Sequence, residues 1–250
     1  MDYTYFFVLI AIIAFLCEYV DSSLGMGYGT TLTPLLLFLN FEPLQIVPAV
    51  LLSEFITGIS AGLAHNKLGN CEFKKNSEDT KVTTVLASCS VVGTIIAVVL
   101  ALTLSKFLVS MYIGILVLLM GILIVSKSVW TFSWKKIVGI GVLAAFNKGI
   151  SGGGYGPLVA GGQIISGRES KNSIGSTSLA EGIVCLVGIL LYLLAASIDF
   201  FIALPLAIGA VLSVPIASLT VKKVDSGRLK RVIGIVVIIL GVFTLIKVFL

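Results

Sequence analysis

Apolar runs long enough to cross about 30 Å of hydrocarbon recur along the whole sequence, broken by short polar stretches. They divide it into ten helical segments, at roughly 4–20, 28–40, 43–64, 81–103, 107–129, 135–149, 155–166, 171–195, 199–220 and 228–249. The second and seventh are too short to span a bilayer at about 1.5 Å per residue. Each follows a glycine cluster, so each is expected to be a half-helix within a hairpin or a broken helix. The pattern predicts an all-α integral membrane protein of about ten helical segments.

Composition narrows the class further. Hydrophobic residues make up 58% of the chain, charged residues only 12%, and the mean hydropathy is +1.13. A soluble domain carries roughly 25% charged residues, so this chain could not cover a soluble surface. The net charge of +5 would raise the question of nucleic acid in a soluble protein. Here the basic residues sit in a few short loops, and no basic face is long enough to track phosphates. Cys17, Cys71, Cys89 and Cys185 lack CxxC spacing and read as small apolar filler. The first apolar run has no basic n-region or small-residue cleavage site, and reads as a retained membrane segment.

The basic loops predict orientation. Lys67, Lys74, Lys75 and Lys81 precede the fourth segment, and Lys127, Lys135 and Lys136 flank the fifth and sixth. Arg168 and Lys171 precede the eighth, and Lys222, Lys223, Arg228, Lys230 and Arg231 precede or open the tenth. The other connections hold Glu42, Lys106 and Asp199, and the N-terminal end holds Asp2. Basic loops in the cytoplasm then place both termini outside. Trp130 and Trp134 bracket the central loop as interfacial anchors.

The two halves match each other. Gly25, Gly27, Tyr28 and Gly29 fall on Gly152, Gly154, Tyr155 and Gly156, and Glu54 falls on Glu181, all at an offset of 127 (156 − 29 and 181 − 54). Farther on, Ile113-Gly114-Ile115 and Gly121 match Ile233-Gly234-Ile235 and Gly241 at an offset of 120, the longer polar loop near 66–80 absorbing the difference. Residues 1–130 and 131–250 are therefore expected to form two repeats of one transport unit. Five segments is an odd number, so the second repeat should enter the membrane from the opposite side. Inverted repeats with glycine-interrupted helices characterise many secondary transporters, whose sites lie at the repeat interface near mid-membrane.

The candidate chemistry sits at those interruptions. Ser22, Ser23, Gly25, Gly27, Tyr28, Gly29 and Thr30 in the first half, and Ser151, Gly152, Gly154, Tyr155 and Gly156 in the second, each open a short helix. Its first N–H groups lack internal partners and favour an anion, through their free donors and through the helix dipole. The alternative is that the glycines only permit close helix crossing. Glu54 and Glu181 lie near the centres of long apolar helices, where a charge costs about 2.5–3.5 kcal/mol. Each suits proton carriage, or else is a protonated acid bonded to neighbouring backbone. Asp21 and Lys148 occupy equivalent places with opposite charge: either they pair, or Lys148 faces the anion while Asp21 balances it. His65, beside Asn66 and Lys67, reads as a helix C-terminal contact. Its counterpart Tyr192 offers no matching chemistry. Glu54, Glu181 and Asp21 are the candidate ion-coupling residues. There is no GxxxxGK[ST] and no HExxH, so no cofactor, metal or catalytic residue is assigned.

The stretch from Glu18 through Asp21 and the Gly25–Gly29 cluster to Pro34, the later Ala64-His65-Asn66-Lys67-Leu68-Gly69-Asn70, and the second glycine cluster resemble the sulfite exporter TauE/SafE family, also called the toluene-sulfonate uptake permeases. The resemblance covers nearly the whole chain. It implies proton- or ion-coupled movement of sulfite, sulfonates or related sulfur oxyanions across the cytoplasmic membrane. The partners implied are a small anionic substrate, a coupling ion (proton or sodium), the lipid bilayer and, for assembly, a second copy of the chain as a homodimer. The two mid-helix glutamates depart from the commoner family pattern. A passive anion channel, a transporter of another small organic anion, and an intramembrane enzyme are the competing readings. The last is disfavoured by the lack of paired catalytic side chains.

Overall fold

The computed structural model describes residues 3–126, 133–195, 198–221 and 226–249, and all its regular structure is helical. The helices are α1 (Tyr3–Leu24), α2 (Tyr28–Phe38), α3 (Pro43–Lys67), α4 (Glu78–Thr103), α5 (Lys106–Val125), α6 (Trp134–Ser151), α7 (Tyr155–Ile165), α8 (Ser170–Ala195), α9 (Phe200–Thr220) and α10 (Ser226–Phe249). Among the described residues, six of them (α1, α3, α4, α5, α8 and α9) are long and apolar enough to cross a membrane. Their outer faces are apolar as well: Ile95 and Val99 on α4, Leu190 and Leu193 on α8, and Leu204 and Ile208 on α9 are all exposed. A bilayer supplies the solvent for such faces. Asp2, Lys127, Trp130, Lys222 and Lys223 lie outside the described residues, as do the side chains of Arg228 and Lys230.

All ten expected segments are present, with informative differences at their ends. The first runs to Leu24, four residues past the expected stop. Glu18, Asp21 and Ser22 share one face at i, i+3 and i+4, and all three are buried, so polarity there does not end the helix. The fourth begins at Glu78 rather than residue 81. Ser77 caps it by accepting from the N–H of Thr80, with Glu78 and Asp79 in the first turn, where acids complement the helix dipole.

The backbone repeats itself at the offset of 127. Leu24 and Ser151 end α1 and α6; Tyr28 and Tyr155 begin α2 and α7, and Phe38 and Ile165 end them. Positive φ recurs at Gly25 (72°) and Gly152 (73°), and at Gly27 (134°) and Gly154 (81°). In this region most side chains are strained and glycine is not, with Asn the common exception, which explains those four glycines directly. Even the turn after the short helix is repeated, with Asn40 at φ 70° and Gly167 at φ 94°.

Helix pairing crosses between the halves. Phe6 stacks on Phe201 with centroids 4.6 Å apart, and Ala11 meets Gly209, so α1 and α9 run parallel. Cys89 meets Gly141 and Ala97 meets Gly149, so α4 and α6 run parallel in the same way. Equivalent helices oppose each other instead. Along α3, Leu51, Ile59 and Gly62 meet Gly188, Gly182 and Leu179 of α8, and along α5, Gly114, Leu118 and Gly121 meet Leu245, Gly241 and Ile238 of α10. Antiparallel packing of equivalent helices is compatible with an inverted repeat. Single hydrogen bonds follow the same relation. Gln45 donates to Asp199 Oδ2 at 3.1 Å, while Asn172, its counterpart, donates to Asp79 Oδ2 at 2.8 Å.

Candidate functional site

The two glycine turns meet in the interior. A Cβ on Gly29 would overlap the Gly152 carbonyl oxygen, and one on Gly156 would overlap that of Gly25. Gly153 likewise lies against Gly29 and Thr30. The N-terminal ends of α2 and α7 therefore pack backbone to backbone, and Tyr28 and Tyr155 are fully buried beside them. The glycines both allow close crossing and bring two helix N-termini together.

Next to the turns, Lys148 is 1% exposed and sits between two carboxylates. Its Nζ donates to Glu181 Oε1 at 2.7 Å and pairs on its other side with Glu54. Asp21 takes a different partner: its Oδ1 accepts the backbone N–H of Tyr28 at 3.1 Å, in the first turn of α2. Tyr28 in turn shares a hydroxyl–hydroxyl bond of 2.7 Å with Ser53. Lys148 thus meets the paired glutamates rather than Asp21.

Glu18 is a member of this cluster that sequence reasoning did not assign to the site. It is 2% exposed, and accepts from Ser22 Oγ at 2.7 Å and Thr57 Oγ1 at 3.2 Å. Glu18, Asp21, Glu54, Glu181 and Thr57 line one cavity of about 10 Å³, close to the least space that holds a water. Four carboxyl groups share this core with the single ammonium of Lys148 among the described residues. The signal that could have found Glu18 was its i, i+3, i+4 relation to Asp21 and Ser22.

The predicted hydroxyls divide. Ser22 serves Glu18, and Ser151 bonds Asn147 O at 2.6 Å and accepts from the N–H of Gly153 at 3.1 Å. Ser23 Oγ and Thr30 Oγ1, together with Thr33 Oγ1, which is not among those expected, are buried and have no hydrogen-bond partner among the described residues. Thr33 Oγ1 lies close to Gly152, and Thr30 close to Gly153. Buried hydroxyls are ordinarily bonded, so these mark a polar locus at the turns.

His65 makes a helix C-terminal contact, as expected, at the end of α1, whereas Tyr192 requires a correction. His65 is fully buried: its Nε2–H donates to Ser22 O at 3.0 Å, and its Nδ1 accepts from Asn70 at 3.0 Å. Tyr192, expected to have no matching role, donates its hydroxyl to Gly149 O at 2.9 Å. Residues 22 and 149 are themselves equivalent, and both lie in the last turn of a helix, where carbonyls lack internal N–H donors. A ring nitrogen in one half and a phenol in the other do the same work.

At the far end of α7, Arg168 closes a second polar cluster. It bonds Asp79 Oδ1 at 2.5 Å, Glu78 at 3.2 Å and the Gln163 side chain. At the matching end of α2, Lys247 donates to Leu37 O at 2.8 Å, Phe38 O at 2.9 Å and Asn40 Oδ1 at 2.7 Å.

Residues 10–244 match the family described as Sulfite exporter TauE/SafE. The chain belongs to this family. It is also similar to the Probable membrane transporter protein YtnM of Bacillus subtilis (strain 168), at 24% identity over 96% of this chain and 83% of the relative. No solved structure matches it. With its apolar spans, membership of the TauE/SafE family makes the chain a multi-pass membrane transporter of a small molecule, which points away from catalysis.

Proposed function

We propose that this TauE/SafE transporter moves a small sulfur oxyanion of the sulfite or sulfonate type, coupled to protons, across the cytoplasmic membrane with both termini outside. Residues 1–130 and 131–250 act as inverted repeats around the paired glycine turns. One observation carries the reading: a buried lysine held between two equivalent glutamates, beside two facing helix N-termini. With Glu54 and Glu181 ionised, both bonds to Lys148 are charge-assisted. Protonating the acids removes the carboxylate charges, so the ammonium keeps only weaker hydrogen bonds to neutral carboxyls. Lys148 is then free to pair with an anion seated at the N-termini of α2 and α7. The backbone N–H groups there, and the hydroxyls of Ser23, Thr30 and Thr33, supply further donors.

Proton and anion binding support each other in this scheme. A neutral carboxyl repels an incoming anion less than a carboxylate does, and the effect is large in low dielectric. The two bind together, and the gradients set the direction of net movement. Backbone contact between the turns favours alternating access over a standing pore. Counterflow in proteoliposomes with sulfite, sulfate, thiosulfate and sulfoacetate tests this directly. Saturable exchange of at least one anion, driven uphill by a pH gradient, is the expected result. A conductance without counterflow would make the protein a channel, and sodium-driven uptake indifferent to pH would replace the proton as coupling ion.

A further inference from the structure

Resting on that proton-coupled reading, we infer that Glu18 of α1 is a further proton-carrying residue, holding its proton while Lys148 is clamped. Of the four acids in the core, Glu54 and Glu181 share the ammonium, and Asp21 accepts an N–H at the start of α2. Among the described residues the donors to Glu18 are neutral hydroxyls, Ser22 at 2.7 Å and Thr57 at 3.2 Å. An unpaired buried carboxylate is costly, whereas a neutral acid is well served by hydroxyls that can donate or accept. With the proton on Oε2, the acid donates to Thr57 Oγ1.

The second observation concerns the receiving group. Glu54, 3% exposed, lines the same 10 Å³ cavity, and its Oε1 has no hydrogen-bond partner among the described residues. One water there can link the two carboxyls, so a proton released by Glu18 reaches Glu54 and loosens its hold on Lys148. The O–H bond of Glu18 breaks as a new O–H forms on Glu54, and the charge moves the other way. The titratable groups near Glu18 are Cys17 and Asp21 on its own helix, Tyr28 on α2, Glu54 on α3 and Glu181 on α8, with Lys148 of α6 beyond the two glutamates. Helix α9, packed along α1, contributes none.

Infrared difference spectra of the purified full-length protein in detergent test this without any substrate. The wild type should show the C=O stretch of a protonated carboxylic acid at neutral pH, and Glu18→Gln should lose it. Thr57→Val should keep the band but shift its frequency, which reports the assignment even if Glu18→Gln folds poorly. A band unchanged in Glu18→Gln, or unmoved in Thr57→Val, overturns the proposal. In proteoliposomes with sulfite, Glu18→Gln should lose pH-driven accumulation, and Glu18→Asp should regain part of it. Wild-type accumulation retained in Glu18→Gln also overturns the inference. Absence of pH-driven transport in the wild type would instead sink the transport reading, and the infrared result would still decide where the proton sits.

Discussion

Lys148 Nζ donates to Glu181 Oε1 across 2.7 Å in the buried core, joining α6 to α8. The same ammonium reaches Glu54 on α3, so three helices from two halves are tied at one nitrogen. Its strength can be measured. Lys148→Met leaves both glutamates buried without a cation, and breaking such a pair costs about 3–5 kcal/mol. The triple variant Lys148→Met, Glu54→Gln, Glu181→Gln should recover most of that loss. Thermal unfolding in detergent reads the difference, and additive losses would mean the three residues do not interact.

The same residues predict a transport phenotype. Glu54→Gln and Glu181→Gln each mimic a neutral acid with little change in size. Each should abolish pH-driven accumulation while sparing anion exchange across the membrane. The two need not be equal, because Asp21 stands in the first half where Lys148 stands in the second. Unaltered pH-driven transport in both single variants and in the double variant would leave the pair a purely structural role.

Close approach of the turns gives a steric prediction. Gly29→Ala and Gly156→Ala place a methyl group on the opposing backbone, where overpacking costs about 1–3 kcal/mol or more. A Cβ on Gly139 or Gly161 meets nothing within 4 Å. Alanine at those two helical positions should be neutral, or stabilising by up to about 1 kcal/mol. Equal thermal stability of all four variants would contradict the packing of the turns.

Cys71 reports on the Arg168 cluster. It lies in the loop after α3, 5% exposed against Gly175 of α8, while the N–H of the following residue bonds Asp79. Burial, with the nearby Asp79 carboxylate, pushes its thiol up to about 12. The reactive thiolate is therefore only about one part in 10⁴ at pH 8. In a chain lacking the other three cysteines, maleimide labelling should be very slow at that pH and should rise steeply with further alkalinisation. Arg168→Ala, which frees Asp79 and loosens the loop, should let Cys71 label readily near pH 8. Fast labelling in the unaltered loop would refute the burial.

Orientation is tested at two turns. Asn40 and Asn76 both have positive φ and lie in polar connections, after α2 and before α4. Asn40→Cys should label from outside the cell only, and Asn76→Cys from inside only. Labelling of both from one face would overturn the spanning of α3 and the predicted orientation.

Much of this was legible because the repeat is written in glycine. Gly25, Gly27, Gly152 and Gly154 are required by positive φ, so one offset located both interruptions and both short helices. Glu54 and Glu181 stood out as charges inside apolar runs. Glu18 did not, because it lies near the end of its run and the equivalent position in the second half is Ala145, so the repeat carries no echo of it. The partner of Lys148 was equally hidden. Equivalence to Asp21 suggested a pair across the axis, whereas the choice of Glu54 and Glu181 depends on how α3, α6 and α8 converge. The bonds of His65 and Tyr192 were invisible for a related reason: the shared element is the carbonyl they reach, and the side chains differ.

The exchange of helices between halves bears on how the molecule is made. Helix α1 finds its parallel neighbour in α9, about 200 residues later, which is many seconds of synthesis at the usual 5–20 residues per second. Throughout that interval Glu18, Asp21 and Ser22 have no finished interior to face. The newborn segment must wait, either inside the insertion machinery or at the lipid edge with its acids neutralised. A severed first half should therefore be a poor substrate for membrane integration and an early target for degradation. Supplying the second half as a separate chain should restore it.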